Sequence, residues 1–251
     1  MMTICIAAAA LAAASSSAAQ PAARPVSIVL VHGAFADALG FQKLIPILQR
    51  DGYDVTAVEI PLQSLQGDVE TARRAIDAQT KPVVLVGHSY GGAVITGAAA
   101  GSSKVKALVY LAAFGPDNGE AVGAFEDKYP IALNQELKPD SAGFLYVDRS
   151  RFNEDFAGGV PAEDSAIMAA TQKPLNKSVF TASVPVAAWK TIPSWYVVSK
   201  QDHAINPDLE RFYAKRMGAK TSEIDASHVA FITHPKEIAA VIEEAATAAA
   251  R

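Results

Sequence analysis

The sequence predicts an α/β protein: one domain, residues 26–250, built on a doubly wound, six-stranded, all-parallel sheet. Three observations predict it. After Pro25, short β-branched apolar runs alternate with longer helical patterns, as they do where parallel strands are joined by helical crossovers. The chain has 251 residues, half of them hydrophobic, which is enough to bury one sizeable core. Finally, an insertion of about eighty residues, roughly 115–193, breaks the rhythm only once, between the fourth and fifth strands.

Taken in order, strands are expected at 26–31, 54–60, 82–87, 105–111, 194–199 and 220–225. Each is a run such as Ile28-Val29-Leu30-Val31 or Val83-Val84-Leu85-Val86. Helical patterns are expected at 42–51, 68–79, 90–100, 207–217 and 235–249. The last opens on Pro235, which a first helical turn tolerates because its N–H would have no partner there. The insertion is too long for an ordinary connection. It carries Phe125, Tyr129, Phe152, Phe156, Phe180 and Trp189, whereas a disordered linker is poor in aromatics. It is therefore read as a small folded lid of short helices over the carboxyl edge of the sheet. Its aromatics either line an apolar pocket or form the lid's own core.

The first residues differ from the rest. Residues 4–14 are apolar and Ala-rich, and 15–19 supply the small residues of a cleavage site, so 1–19 reads as a signal peptide, although no Lys or Arg precedes the apolar run. This implies export to the periplasm or beyond if the segment is cleaved, and a cytoplasmic protein otherwise. The run is too short to span a bilayer, and no second stretch of spanning length follows. Cys5, the single cysteine, falls inside it, which excludes disulfide chemistry from the remainder. With 22 basic and 26 acidic residues the net charge is −4, and no basic cluster exceeds Arg73-Arg74. Nucleic acid is not an expected partner, because phosphate binding needs clustered positive charge.

The motif that carries chemistry is Gly87-His88-Ser89-Tyr90-Gly91-Gly92, directly after a strand and directly before a helix. G-x-S-x-G in that setting is a nucleophile elbow, a turn so tight that only glycine-sized neighbours leave room for the serine. A dinucleotide loop would also place glycines there. It needs glycine where Ser89 stands and belongs in the first βα turn rather than the third, so it is set aside. A serine hydroxyl needs a base. In this arrangement the chain order is serine, acid, histidine, with the base after the last strand, which selects His228 in Ala226-Ser227-His228. Of the other histidines, His32 shapes the turn after the first strand, His88 is the variable elbow position, and His203 and His234 read as surface or turn residues.

The acid should follow a strand's carboxyl end and accept the imidazole N–H. Asp202, after the fifth strand, is the first choice. Asp117, after the fourth, is the runner-up, and Asp225 sits too close to the base in sequence. Two backbone donors should face the developing oxyanion, each worth about 3 kcal/mol in comparable sites. One is the N–H of Tyr90. The other lies in Val31-His32-Gly33-Ala34-Phe35, with Ala34 preferred and Phe35 the alternative, Gly33 permitting the bend. No metal-ligand spacing is present, and neither a metal nor another cofactor is expected.

Through His32 to Phe35, Gly87 to Gly92, Ser199 to Pro207 and Ala226 to His234, the chain resembles the small α/β hydrolases that include plant methylesterases, hydroxynitrile lyases and bacterial carboxylesterases, some of them pyrethroid-hydrolysing. The resemblance implies an α/β-hydrolase fold lacking the two leading strands of larger members, and a small-molecule ester as substrate. It also implies that a lyase would carry threonine at Gly33 and lysine at Val229. Both are absent, which favours ester hydrolysis through an acyl-enzyme. Cofactor-free perhydrolase or haloperoxidase chemistry on the same three residues, lyase chemistry, and a ligand receptor on the hydrolase scaffold are the alternatives.

Overall fold

The computed structural model describes residues 23–251. The expected signal peptide, with Cys5, lies outside the described residues. Nine strands follow in chain order: β1 (Ser27–Val31), β2 (Asp54–Val58), β3 (Val83–Ser89), β4 (Val105–Ala113), β5 (Leu137–Pro139), β6 (Phe144–Val147), β7 (Leu175–Asn176), β8 (Ser194–Ser199) and β9 (Lys220–Ile224). The helices are α1 (Ile45–Arg50), α2 (Leu65–Asp77), α3 (Tyr90–Ala98), α4 (Phe152–Asp155), α5 (Ala162–Thr171), α6 (Pro207–Met217), α7 (Ala230–Thr233) and α8 (Pro235–Ala249). All six strands expected from the sequence form, and they assemble into one sheet in the order β2-β1-β3-β4-β8-β9. Every neighbouring pair in it is parallel.

Burial follows position in that order. The central β1 and β3 are buried at every residue, whereas of the two edge strands β2 fully buries only Val58 and β9 exposes four of its five residues. Continuous apolar sequence is what a strand covered on both faces requires. The order also fixes where a ligand can sit. From β1 the chain steps to β2 on one side and then crosses back to β3 on the other, so the loops after β1 and β3 diverge and leave a crevice at their carboxyl ends. That crevice lies between residues 32–35 and the elbow at Ser89.

Three elements differ from expectation. The helix expected at 42–51 is a 3₁₀ turn, Ala38–Lys43, followed by α1, with Pro46 in the first turn of α1. Proline has no N–H to continue a helix from the preceding turn, so a new helix starts there. β2 ends at Val58 because the N–H of Ile60 is given to Nε2 of His32, at 3.2 Å, rather than to a neighbouring strand. β3 runs on through His88 and Ser89, with a register shift between them against β4.

The insertion is folded and holds the short helices α4 and α5. To these it adds a three-stranded antiparallel sheet, β5-β6-β7, not anticipated from sequence. The Asp140 carboxylate accepts the N–H groups of Ala142 and Phe144, at 2.8 and 2.9 Å, closing the β5–β6 turn in which Gly143 takes φ 85°. The lid is tied down by the Trp189 indole N–H to the carbonyl of Pro116, at 3.0 Å, and by the Asn176 N–H to the carbonyl of Leu62, at 3.0 Å. Among the described residues no helix is long and apolar enough to cross a membrane.

Candidate active site

The site begins at the end of β3. Ser89 closes the strand and opens α3 with φ 54° and ψ −125°, a conformation unusual for a side-chain-bearing residue. Holding it there costs about 1–3 kcal/mol, which the packing around it must offset. The glycines show what forces the turn. A Cβ at Gly87 would come 2.6 Å from the carbonyl oxygen of Gly91, one at Gly91 would come 2.5 Å from that of Val31, and one at Gly92 would come 2.3 Å from that of Phe114. No side chain fits at those separations, so the elbow sequence is dictated by backbone crowding.

Gly33 has a different role from the bend anticipated from sequence. The residue of the β1 turn with positive φ is Phe35, at 58°, not Gly33. Gly33 is small because Ser89 is close: a Cβ there would lie 2.6 Å from Cβ of Ser89 and 3.1 Å from its Oγ.

His228 and Asp202 meet in the buried interior. Nδ1 of His228 lies 2.6 Å from Oδ2 of Asp202, and since a carboxylate only accepts, Nδ1 carries the proton. The other imidazole nitrogen, Nε2, is buried with no hydrogen-bond partner among the described residues. The second carboxylate oxygen of Asp202 accepts the N–H groups of Ala204 and Ile205, at 2.6 and 2.9 Å, which fixes its orientation. Ser89, Tyr90, Ala34, Phe35 and His228 line one cavity of about 30 Å³. Tyr90 is the first residue of α3, so its N–H is among those a helix leaves without an intrahelical acceptor.

The remaining candidates are placed elsewhere. The Asp117 carboxylate pairs with the Lys190 ammonium at 2.7 Å and accepts the N–H of Asn118 at 2.6 Å. Asp225 is exposed and accepts from the Gln201 amide at 2.9 Å. His203 is half exposed near Asp155, and His234 bonds Thr233 at 2.9 Å just before α8. His32 does shape its turn: Nδ1 donates to the carbonyl of Gly33 at 2.8 Å and Nε2 accepts from Ile60. The lid aromatics divide between the two readings. Phe156 and Phe180 line the cavity, with the Phe156 ring 5.2 Å from that of His228, while Phe125 and Tyr129 pack on Phe212 of α6.

Four supporting residues were not legible beforehand. His88 is buried, its Nε2 donates to the backbone carbonyl of His228 at 3.0 Å, and its ring packs 4.5 Å from the His228 ring. Burial and the neighbouring His228 hold its pKa well below the usual range, so it stays neutral. Asp68, in the first turn of α2, accepts from the Tyr90 hydroxyl at 2.7 Å and from the N–H of Leu62 at 2.8 Å. Its acidity in a first helical turn was visible, but not this partner. Glu210 of α6 is fully buried beside Asp202 and accepts the Ser199 N–H at 3.0 Å. Burial first, and the neighbouring Asp202 second, push its carboxyl well above the ordinary range. Glu59 lies 3.5 Å from Nε2 of His32, accepts the Ala38 N–H at 2.7 Å, and bonds Lys173 at 3.2 Å. The Ala38 N–H and the Lys173 ammonium hold its carboxyl below the ordinary value of 4.5. Among the described residues no cluster of three metal-ligating side chains is gathered.

The chain is 28% identical over 245 residues to the alpha/beta hydrolase nvfD of Aspergillus novofumigatus, covering 88% of this chain and 96% of that one. It is 27% identical over 241 residues to the alpha-hydroxynitrile lyase of Arabidopsis thaliana, covering 84% and 93%. It is 26% identical over 207 residues to methylesterase 8 of the same plant, covering 73% and 75%. Among solved structures, the pyrethroid hydrolase from Sphingobium faniae JZ-2 superposes with a TM-score of 0.74 at 23% identity, covering 88% of this chain and 98% of that one. Polyneuridine aldehyde esterase superposes with a TM-score of 0.76 at 18% identity, covering 88% and 98%, and at such identities the likeness is one of fold. A family model described as the alpha/beta hydrolase family matches residues 28–241, a span that contains both the elbow at Ser89 and the His228–Asp202 pair, and the chain belongs to that family.

Proposed function

We propose that this protein hydrolyses small to medium, mainly apolar carboxylic esters through an acyl-enzyme, with Ser89 as nucleophile, His228 as general base and Asp202 as the acid that orients the base. One observation carries the reading. The strained elbow serine and a buried imidazole share a cavity, and that imidazole's Nδ1 is bonded to a carboxylate while its Nε2 has no partner. With the proton fixed on Nδ1 by Asp202, Nε2 presents a lone pair and can take the proton of the Ser89 hydroxyl as the oxygen attacks the ester carbonyl. The negative charge then moves to the carbonyl oxygen, where the N–H groups of Tyr90 and Ala34, with Phe35 as the competing choice, would stabilise it. His228 returns the proton to the departing alcohol, leaving Ser89 acylated. A water, deprotonated in turn by Nε2, attacks the acyl group and releases the acid.

The relatives support ester chemistry, since methylesterases recur among them. Where the resemblance assigns a hydroxyl and an ammonium to lyases, this chain has Gly33 and the buried, apolar Val229, so neither group stands beside His228. Release of p-nitrophenol from p-nitrophenyl acetate, compared between the protein and Ser89→Ala, tests the proposal. Turnover abolished by the substitution supports it. Equal rates in both proteins, or binding without turnover, would overturn it.

A further inference from the structure

The cavity that holds Ser89 and His228 is about 30 Å³, far below the roughly 300 Å³ at which sites for drug-sized molecules begin. It has room for a reacting carbonyl and its smallest substituents, not for the body of a larger ester. A second hollow, about 150 Å³, lies between the 3₁₀ turn Ala38–Lys43 and the lid helix α5. One residue lines both spaces, Phe35.

The chemistry of the second hollow is apolar. Its walls include Leu39 and Ile167, which are 66% and 58% exposed and head the exposed large hydrophobics of the described residues. Single exposed apolar side chains need no explanation, but two lining one hollow next to a nucleophile mark a surface suited to an apolar ligand. The charged side chains at the hollow, Asp37, Lys43 and Asp164, are of mixed sign, and Asp37 is engaged with the N–H of Leu39, at 2.9 Å. They provide no concentrated charge for an ionic ligand.

Phe35 is itself unusual. It is buried, holds φ 58°, and meets the lid ring of Phe156 edge-on at 6.3 Å. A bulky residue held in the left-handed region is uncommon, and Phe35 stands between the cavity of Ser89 and the apolar hollow.

We propose that this hollow is a second substrate subsite, taking the elongated alkyl or aryl part of an ester, and that Phe35 is the specificity-determining side chain that divides it from the reacting carbonyl. The inference rests on the hydrolase reading above and deepens it. The chain enters the hollow only when the Phe35 ring swings aside, so ring size sets how readily long esters reach Ser89.

The test uses two ester series: p-nitrophenyl acetate against p-nitrophenyl octanoate, which varies the acyl part, and ethyl acetate against octyl acetate, which varies the alcohol. The variants are Leu39→Ser with Ile167→Ser, both exposed and outside the reacting groups, and Phe35→Ala. The double variant is expected to lower the long-to-short ratio of kcat/KM roughly tenfold in one series, and Phe35→Ala to raise that ratio in the same series. Whichever series responds tells which half of the ester lies in the hollow. Ratios unchanged in both series, with acetate still turned over, would overturn the subsite and leave the hydrolase reading standing. Loss of all ester turnover in the unmodified protein would instead strike the hydrolase reading. Binding of p-nitrophenyl octanoate to Ser89→Ala then decides the subsite separately: roughly tenfold weaker binding with the two serines added supports it, and equal binding refutes it.

Discussion

The imidazole of His88 donates through Nε2 to the backbone carbonyl of His228 at 3.0 Å, joining the elbow to the loop that carries His228 across 140 residues of sequence. A carbonyl only accepts, so this bond fixes the His88 tautomer and leaves its Nδ1 unprotonated. The residue before Ser89 thus holds the loop that presents the His228 imidazole, and the two rings pack at a tilt with centroids 4.5 Å apart, while the rings of Phe231 and His88 meet edge-on at 4.7 Å.

His88→Phe keeps a ring of similar size and removes the donor, leaving the His228 carbonyl buried and unpaired. We expect a stability loss of about 1–3 kcal/mol and a kcat about tenfold lower with KM little changed, as a displaced base requires. Chemical denaturation and steady-state kinetics with p-nitrophenyl acetate read both.

Asp202→Asn should retain the fold and lower kcat by about 10⁴, because the amide can donate to Nδ1 and favour the wrong imidazole tautomer. Asp117→Asn should leave kcat within about twofold, since that carboxylate serves Lys190 and surface pairs of this kind contribute little. Reversal of the two outcomes would move the acid to Asp117.

Gly33→Ala places a methyl within 2.6 Å of Cβ of Ser89. Either the nucleophile or the β1 turn must shift, and a displacement on the order of 1 Å lowers kcat by about 10². A crystal structure of the variant would show which of the two moved.

Glu210→Gln tests the buried neutral carboxyl. In the native state Glu210 stays protonated above the ordinary carboxyl value of 4.5, whereas in the unfolded chain it ionises there. A raised native pKa gives stability that is present at low pH and lost as pH rises. Glutamine does not ionise, so the Tm of the variant relative to the parent should climb as pH rises above about 4.5 and level off once native Glu210 ionises. At pH 4 the two should differ little. A parent that grew more stable than the variant with rising pH would refute the assignment.

Glu59 gives the opposite sign. Its carboxyl is held below the ordinary value of 4.5 by the Ala38 N–H and Lys173, so its contribution is complete above 4.5 and lost as pH falls through the lowered native value. Glu59→Gln should therefore lower Tm at neutral pH, and the gap between the two proteins should close as pH falls below 4.5. Because half of this side chain is exposed, the gap is expected to be small and to narrow in high salt.

The elbow shows how far sequence reaches. Gly87, Ser89, Gly91 and Gly92 lie within six positions of one another and the motif could be read from its spacing alone, although the carbonyls that crowd Gly91 and Gly92 belong to the distant Val31 and Phe114. The strands were legible for the same reason: β1 and β3 are covered on both faces, and full coverage demands unbroken apolar runs. The β5-β6-β7 sheet was not, because its strands are two to four residues long and an Asx turn at Asp140, rather than hydrophobic periodicity, closes its first hairpin.

By itself the sequence determined the parallel sheet, the glycine-flanked turn that presents Ser89, the chain order that singles out His228, and the presence of a folded insertion, since each depends on neighbours within a few positions, on the order of motifs or on a periodicity. Only the tertiary structure decided between Asp202 and Asp117 as the partner of His228, gave Gly33 its role as space for Ser89, and turned His88, Asp68 and Glu210 into supports of the site. Those assignments depend on which side chains meet across tens or hundreds of residues, and on the charge state that burial imposes once they do. Neither is written in local spacing.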